Sequence, residues 1–329
     1  MEQAEEFYIA IDGGGSKTDS VLLDRSGKVR NRVIGEATNV NDISFEQVER
    51  RLATLLDELL AEYGGRVLPL RQIYAGMSGG GLVKNRSSLH TLFRELLPRC
   101  AEIKNGGDGL NALVAGLGFE EGMVLIAGTG SILHVRSRQS IHQVGGWGYM
   151  LGDEGGGFDI GSKVIQASLK AMDGRSPRTL LLELTEDKLG SSLVEAIPVI
   201  YQNGKKYIAG FAPLAFQAAE QGDAAAISLL DEAAHELATM ARAGSRYLQA
   251  DSWKLVLSGG LWQAGDGLKN RLRKHLEERF VLMPLDMPPV YGAAILAVHS
   301  PDENLGMDLA SFKSTFHASL SKQSWRRFN

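Results

Sequence analysis

The segment from Phe7 to Asp24 restricts the fold of this chain more than any other stretch. It reads FYIAIDGGGSKTDSVLLD, in which two apolar runs flank three consecutive glycines. Two apolar runs joined by a glycine-rich turn predict a β-hairpin. Asp12 ends the first run, and the turn and its exit consist of Gly13, Gly14, Gly15, Ser16, Lys17 and Thr18. Because glycines leave room for backbone N–H groups to point inward, the tip of this hairpin can approach an anion closely.

The chemistry of this tip suits a polyphosphate with its magnesium ion. Ser16 and Thr18 add hydroxyl donors and Lys17 adds a positive charge, while Asp12, at the end of a buried strand, is placed to hold a hydrated Mg²⁺. The segment is not a P-loop, because the P-loop spacing is missing and a strand follows the glycines where a P-loop has a helix. Taken alone, it is explained equally well as a glycine-rich turn beside a helix-capping aspartate.

Length and composition exclude several classes of protein. The chain has 329 residues, enough for two domains, and its net charge of −4 gives no electrostatic reason to expect nucleic acid. No apolar run reaches the roughly 20 residues of a membrane helix, and the start MEQAEE lacks the order of a signal peptide. The single cysteine, Cys100, excludes an intramolecular disulfide. We therefore expect a cytoplasmic protein that binds neither nucleic acid nor membranes.

The spacing of apolar residues predicts the element order β-β-β-α-β-α-β twice, with additional helices in the second copy. The predicted strands are 7–11, 20–23, 29–34, 72–77, 101–104, 122–127, 131–137, 141–144, 254–257 and 281–284. The predicted helices are 45–63, 85–97, 108–118, 158–172, 177–184, 191–201, 224–248, 267–280 and 291–298.

This repeated order predicts two α/β domains. The first spans residues 1–118 and the second 119–290, and the C-terminal stretch 291–329 is able to rejoin the first. Residues 300–329 are polar and are predicted to be peripheral, and the terminal Trp325-Arg-Arg-Phe sequence is predicted to be a frayed end.

Two further glycine clusters follow predicted strands. Gly128, Thr129 and Gly130 form a second turn between two strands, at the place in the second copy that matches the first turn. One such turn is weak evidence, but two at equivalent places favour a pair of phosphate-binding turns from two domains. The third cluster, Gly259 and Gly260, would let backbone approach a flat ring or a ribose, although alone it reads as a tight strand-to-helix turn.

Candidate polar residues lie near these turns. Asp108 follows a predicted strand and two glycines, so its carboxylate is free to meet a substrate hydroxyl, although an ordinary helix N-cap is the common use of Asp at this place. Trp147, Asp153 and Glu154 lie between glycines and fit a sugar pocket, although a core tryptophan followed by an acidic helix start explains them too. The seven histidines are scattered without the spacing of metal ligands.

The combined motifs resemble those of N-acetylglucosamine kinases in the BadF/BadG/BcrA/BcrD-type ATPase family, within the acetate and sugar kinase, heat-shock and actin superfamily. The segments that carry the resemblance are Asp12–Thr18, Asp108, Ala127–Ser131, Gly146–Gly156 and Ser258–Gly260. It covers the chain from about Phe7 to Val298, and GWGYMLGDEGG is its most specific part. The resemblance implies two RNase H-like (actin-like ATPase) domains with ATP and Mg²⁺ in a central nucleotide cleft.

The resemblance also implies a role for each motif. Asp108 would accept the proton of the sugar hydroxyl, and Asp12 would hold the magnesium ion. The phosphates would lie on residues 13–18 and 128–130, and the adenosine on Gly259 and Gly260. The amino sugar would contact Asn39, Ser78, Asp108, Thr129, Gly130, Trp147 and Asp153. Asp108 is followed by Gly109 where the family often has alanine, and Lys17 occupies a variable position.

The activity so implied is that of an ATP-dependent sugar kinase, a homodimer that phosphorylates N-acetylglucosamine at its 6-hydroxyl. Glucosamine or another N-acyl hexosamine remains an alternative acceptor. The family also contains ATP-driven activators of 2-hydroxyacyl-CoA dehydratases, which hold an iron–sulfur cluster between two subunits through cysteines, and Cys100 alone cannot supply that set. Sugar-sensing regulators usually carry a helix-turn-helix, for which the six or so residues before the first strand leave no room.

Overall fold

A computed structural model describes residues 6–138, 140–299, 308–321 and 326–327. The chain forms two compact units, the first comprising Met1–Glu120 with Leu285–Asn329 and the second Glu121–Pro284. Each unit is built on one mixed β-sheet with helices, which confirms the predicted α/β class. Within the described ranges, no helix is long and apolar enough to cross a bilayer.

The described elements follow the predicted order closely. The strands are β1 Phe7–Gly13, β2 Thr18–Asp24, β3 Val29–Gly35, β4 Leu70–Met77, β5 Cys100–Gly106, β6 Gly122–Ala127, β7 Ser131–Arg136, β8 Ile141–Gly145, β9 Trp253–Ser258, β10 Phe280–Pro284 and β11 Arg326–Arg327. The helices are α1 Phe45–Leu60, α2 Val83–Leu96, α3 Gly109–Leu117, α4 Gly157–Met172, α5 Leu180–Leu189, α6 Leu193–Ala209, α7 Ala212–Glu220, α8 Ala224–Ser245, α9 Gly267–Lys274, α10 Pro289–Val298 and α11 Leu309–Ser321.

The sheet of the first unit has the order β11-β3-β2-β1-β4-β5. Strand β1 pairs antiparallel with β2 and parallel with β4, so the predicted hairpin lies in the middle of the sheet. The side chains of β1 alternate between two cores: Ile9 and Ile11 pack with α1 and α2, whereas Tyr8 and Ala10 pack with α10 and α11. Burial on both faces explains why this strand is an apolar run rather than an alternating pattern.

Helix α1 begins where its sequence provides a capping box. Ser44 Oγ accepts from Gln47 N at 3.3 Å, and Gln47 Oε1 accepts from Ser44 N at 3.2 Å. The helix buries one apolar face in the first core, whose members are Val48, Leu52, Leu55, Leu56, Leu59 and Leu60. The α-helix ends at Leu60 and a 3₁₀ turn replaces its predicted last turn, because Gly64 follows with a φ of 93°.

The sheet of the second unit has the order β10-β9-β6-β7-β8. Its core is filled by the helices α4 to α9, and α8 contributes a row of alanines that lets helices approach closely. Helix α7 was missed although it has a proline in its first turn, because its nine residues are short and its alanines contribute little to an apolar periodicity. Helix α9 ends at Lys274 rather than at Phe280, because Phe280 pairs with Trp253 as the first residue of β10.

The prediction that residues 300–329 are peripheral is wrong for α11. Phe312 and Phe316 are buried in the first unit and pack against Tyr291 of α10. Two aromatic residues one helical turn apart were sufficient to mark a packed face in a polar segment. Arg326 and Arg327 pair with Val33 and Ile34 of β3, so the expected fraying does not apply to them. Trp325 and Phe328 lie outside the described residues.

Candidate active site

The first glycine turn is held at its base by backbone hydrogen bonds. Gly14 N donates to Lys17 O at 2.9 Å, which closes the β1–β2 hairpin. Gly13 O accepts from Ser78 N at 2.7 Å, which joins the turn to the end of β4. A Cβ on Gly13 would lie 2.7 Å from Thr38 Oγ1, so only glycine fits there. The tip beyond these bonds is exposed at Gly15, Ser16 and Lys17.

The hydroxyl of Thr18 is used inside the first unit. Thr18 is fully buried, and its Oγ1 donates to Glu36 O at 2.7 Å and lies 2.8 Å from Thr38 Oγ1. These bonds hold the hairpin against the segment that follows β3. The contact of Thr18 with phosphate therefore remains a prediction, whereas its part in shaping the turn is visible in the structure.

Asp12 is a carboxylate in an environment that opposes its charge. It is half-buried at the end of β1, in register with Asp19 of β2, which is itself paired with Arg32. Burial raises the pKa of Asp12 to about 7, and the charges of Asp108 and Asp19 act in the same direction. Asn111 Nδ2 donates to Asp12 Oδ1 at 2.7 Å and acts in the opposite direction. A cation beside this carboxylate would therefore be stabilised.

Asp108 lies immediately before α3, between the end of β5 and the helix. It occupies the N-cap position of α3, but its side chain makes no capping hydrogen bond. Burial raises the pKa of Asp108 to about 6, although the Ser78 hydroxyl and adjacent backbone N–H groups donate to the carboxylate and act in the opposite direction. The residue is half-buried and its carboxylate is more basic than that of an ordinary aspartate, which are the properties of a general base.

Asn39 and Ser78 lie in two neighbouring loops of the first unit. Val40 N donates to Ser78 O at 3.3 Å, which joins the loops. The amide of Asn39 donates to Asp42 Oδ2 at 2.8 Å, and a Cβ on Gly15 would lie 3.7 Å from Asn39 Nδ2. The first unit thus brings the predicted sugar residues Asn39 and Ser78 beside its glycine turn.

The second glycine turn is held by the beginning of α4. Gly128 N donates to Gly130 O at 2.9 Å, which closes the turn. Gly157 N donates to Gly128 O and Phe158 N donates to Thr129 O, each at 2.8 Å. The first N–H groups of α4, which have no partner inside the helix, are thereby satisfied by the turn.

Asp153 contacts this second turn from a strained backbone. It has a φ of 59° and is the one non-glycine residue with a positive φ among those described. Its Oδ1 accepts from Gly148 N at 3.2 Å, and a Cβ on Gly130 would overlap its Oδ2. A strained residue between two loops is a common feature of binding sites. Ser131 Oγ donates to the backbone oxygen of the neighbouring Glu154 at 2.6 Å.

Trp147 is not a core residue, which removes the structural alternative for it. Its side chain is 66% exposed, in a loop that also exposes Tyr149, Met150 and Leu151. Four exposed large apolar residues in one short loop are unusual on a soluble protein and indicate a surface that contacts a ligand. The loop is joined to Asp153 through Gly148.

The third glycine cluster packs against the second turn. Gly259 has a φ of 107°, and a Cβ on it would overlap Ala127 O at the end of β6. Gly260 is exposed, with open space where its Cβ would be. The second unit therefore brings together the predicted phosphate and adenosine motifs and Asp153.

Sequence reasoning missed Asn111, the fully buried donor to Asp12. A signal was present, because Asp108 and Asn111 are three residues apart at a helix start and so lie on the same face.

Cys100 is buried and donates to Glu102 O at 3.2 Å, and burial raises the pKa of its thiol. No group of three or more His, Cys, Asp or Glu residues that could hold a metal occurs in the described part of the chain.

The sequence matches the BadF/BadG/BcrA/BcrD ATPase family over residues 9–297. The N-acetylmuramic acid/N-acetylglucosamine kinase of Clostridium acetobutylicum is 33% identical to this chain over 301 residues, which cover 89% of the chain and 98% of that kinase. The N-acetyl-D-glucosamine kinase of Dictyostelium discoideum is 28% identical, with 90% and 99% covered. A solved structure of a candidate N-acetylglucosamine kinase from Chromobacterium violaceum has a TM-score of 0.74 at 26% identity, with 89% and 99% covered. The likeness therefore extends over both units.

Proposed function

The chain belongs to the BadF/BadG/BcrA/BcrD ATPase family, as its motifs predicted, and from this membership and the geometry above we propose that it is an ATP-dependent kinase of N-acetylglucosamine that phosphorylates the 6-hydroxyl. Relatives that match almost from end to end are named as kinases of this sugar. The observation that carries the proposal is Asp108, a half-buried carboxylate that does not cap its helix and has a pKa of about 6.

Asp108 acts as the general base. With a pKa of about 6 it is largely ionised at pH 7, yet it holds a proton more readily than an ordinary aspartate. The O–H bond of the sugar breaks toward Asp108 while the sugar oxygen bonds to the γ-phosphorus and the bond between that phosphorus and the β–γ bridging oxygen breaks, which releases ADP. Since phosphoryl transfer needs little covalent help, the main tasks of the protein are to position the two substrates and to neutralise charge.

The two glycine turns bind the phosphates of ATP in this proposal. The exposed tip at Gly15, Ser16 and Lys17 offers backbone N–H groups, a hydroxyl and a positive charge. The turn from Gly128 to Gly130 offers backbone in a conformation that α4 maintains. Gly259 and Gly260 take the adenosine, for which the open space beside Gly260 is suitable.

Asp12 is the residue that would hold the magnesium ion. A site of one carboxylate fits Mg²⁺, because this ion commonly keeps several waters and uses phosphate oxygens of the substrate as further ligands. The surroundings of Asp12 fit a magnesium ion as well. Burial and the nearby carboxylates raise the pKa of Asp12 to about 7, and a cation would offset these effects. When bound, the ion neutralises charge that develops on the transferred phosphoryl group.

Asn39, Ser78, Trp147 and Asp153 recognise the amino sugar in this proposal. The carboxylate of Asp153 can accept hydrogen bonds from sugar hydroxyls, the amide of Asn39 can donate and accept, and the exposed indole of Trp147 can pack on the apolar face of a ring. N-acetylmuramic acid is a second candidate acceptor, because the Clostridium relative at 33% identity is named for both sugars. The activator alternative has less support, since Cys100 is buried and bonded within the first unit.

The test is an ADP-release assay with N-acetylglucosamine, N-acetylmuramic acid, glucosamine and glucose, each with Mg·ATP. We expect N-acetylglucosamine to give the highest kcat/KM, and ³¹P NMR of the product to show a 6-phosphate. Asp108→Asn is the control and should lower the sugar-dependent rate by about 10² or more. Preference for glucosamine would contradict the N-acyl specificity, and ATP hydrolysis indifferent to every sugar would favour the activator class.

Two further predictions concern the state of the protein. A homodimer and a cytoplasmic location are implied by the resemblance and remain proposals. Size-exclusion chromatography with light scattering, with and without sugar and nucleotide, tests the first of them. A monomer at micromolar concentration in both conditions would contradict it.

A further inference from the structure

Asn111 is a buried amide that contacts the proposed magnesium carboxylate. It lies in the first turn of α3 and is fully buried. Its Nδ2 donates to Asp12 Oδ1 at 2.7 Å and to Gly76 O at 3.1 Å and lies 3.5 Å from Ile11 O, so the two N–H bonds of the amide are both used. Asp12 Oδ2 accepts no hydrogen bond from the residues that the structure describes.

The position of Asn111 is restricted by glycines on two sides. A Cβ on Gly76 would overlap its side-chain amide, and a Cβ on Gly292 of α10 would overlap its backbone oxygen. Strand β4 therefore packs against the side-chain amide, and α10 packs against the backbone of the same residue. Asn111 N also donates to Asp108 O at 3.0 Å, so the first turn of α3 carries both the proposed base and the residue that contacts Asp12.

The backbone hydrogen bonds to Gly76 O and Ile11 O use only the donor side of the Asn111 amide. Asn111 Oδ1 is buried and has no hydrogen-bond partner among the described residues, which costs stability. Leucine has a similar branched shape and would remove the unpaired oxygen, although it would also remove the donor to Gly76 O and Ile11 O. A residue that is unfavourable for packing and bonds to a reactive carboxylate is expected to serve the site.

We propose that Asn111 is a positioning residue, whose amide holds Oδ1 of Asp12 against the sheet so that Oδ2 faces the Mg²⁺ of Mg·ATP. The inference rests on the proposed function in one respect, that Asp12 is the carboxylate that meets this ion. Asn111 itself touches neither substrate. Its loss lets the Asp12 side chain adopt other rotamers and removes a hydrogen bond that favours the charged form.

Calorimetric titration of the full chain with the non-hydrolysable analogue AMPPNP, with and without Mg²⁺, measures this effect without any turnover. In the wild type, Mg²⁺ should tighten AMPPNP binding. In Asn111→Leu we expect that gain to fall by about tenfold or more, with metal-free affinity unchanged. The matched control is Gln72→Leu, which removes another buried amide whose Nε2 donates to Leu296 O at 3.0 Å. It should alter Tm without altering the gain from Mg²⁺.

A double-mutant cycle separates positioning from packing. In an Asp12→Ala background, Asn111→Leu should have no further effect on the gain from Mg²⁺, because its target is already absent. An unchanged gain in Asn111→Leu alone, or an equal loss in both backgrounds, would overturn the inference. If the leucine variant does not fold, Asn111→Ser decides by the same criteria. Failure of the sugar assay leaves this result readable, since no sugar is present.

Discussion

The two glycine turns occupy equivalent places in their sheets and differ in the residue that precedes them. In the first unit that residue is Asp12, and in the second it is Ala127, which is fully buried. The first turn therefore has a carboxylate whose pKa is raised to about 7, with Asp108 close enough to contribute to that rise. The second turn has backbone donors and carbonyls held by α4. The two units thus provide two similar turns, and in the proposed function the acid–base and metal chemistry belongs to the first of them.

The carboxylates near the turns differ in the same way. The carboxylate of Asp108 accepts from the Ser78 hydroxyl and from adjacent backbone N–H groups and makes no capping hydrogen bond. Asp153 of the second unit accepts from a backbone N–H of the Trp147 loop and has a strained backbone. We infer that Asp108 acts in the chemical step and that Asp153 acts on binding. The predictions below test that division, beginning with the largest effect.

Asp108→Asn should lower kcat by about 10² or more and leave the Kd values for sugar and ATP nearly unchanged. The amide keeps the shape of the side chain but cannot accept the proton. The matched change in the second unit, Asp153→Asn, should raise the KM for sugar with a smaller loss of kcat, since asparagine tolerates a positive φ. Steady-state kinetics with direct binding measurements checks both variants. Equal losses of kcat in the two variants would contradict the inference that Asp108 acts in the chemical step and Asp153 acts on binding.

Asp12→Ala should raise the Mg²⁺ concentration needed for half-maximal rate by about tenfold or more. Gly128→Ala is the counterpart in the second unit, because its Cβ would enter open space and leave the fold intact. It should raise the KM for ATP severalfold by obstructing phosphate, without changing the Mg²⁺ requirement. Magnesium titrations of both variants at saturating sugar make the comparison. A shift in the Mg²⁺ requirement for Gly128→Ala would show that the second turn also takes part in metal binding.

The comparison also shows which features a sequence can reveal. The β1–β2 hairpin was predictable because apolar runs and glycines act locally. The spacing places Asn111 on the same helix face as Asp108, but its bond to Asp12 was not predictable, because it joins residues 99 positions apart through the packing of α3 on the sheet. The spacing of Phe312 and Phe316 marked a packed face of α11, but the polar composition of the segment masked it, and the partner Tyr291 lies in another helix. The strain of Asp153 was hidden for a similar reason, since the loop around it imposes its φ.

The smallest expected effect concerns stability, and it has opposite signs in the two units. The folded protein binds a proton at Asp108 more tightly than the unfolded chain does, since the pKa is raised to about 6. Protonated Asp108 therefore contributes to the free energy of unfolding at low pH, and this contribution is lost as the pH rises through about 6. Asp108→Asn should then raise Tm at pH 7.5, by about 2–4 °C, and the gain should disappear near pH 4.

Asp223 of the second unit supplies the control of opposite sign. Burial acts to raise its pKa, but hydrogen bonds from Ala226 N, Leu180 N and the Thr179 hydroxyl outweigh it and lower the pKa below the usual range. The contribution of this carboxylate to the stability of the folded protein is present at neutral pH and is lost as the pH falls. Asp223→Asn should lower Tm at pH 7.5 and have less effect near pH 4. A drop in Tm for Asp108→Asn at both pH values would show that its carboxylate is a structural group, as Asp223 is, and would end the distinction between the two units.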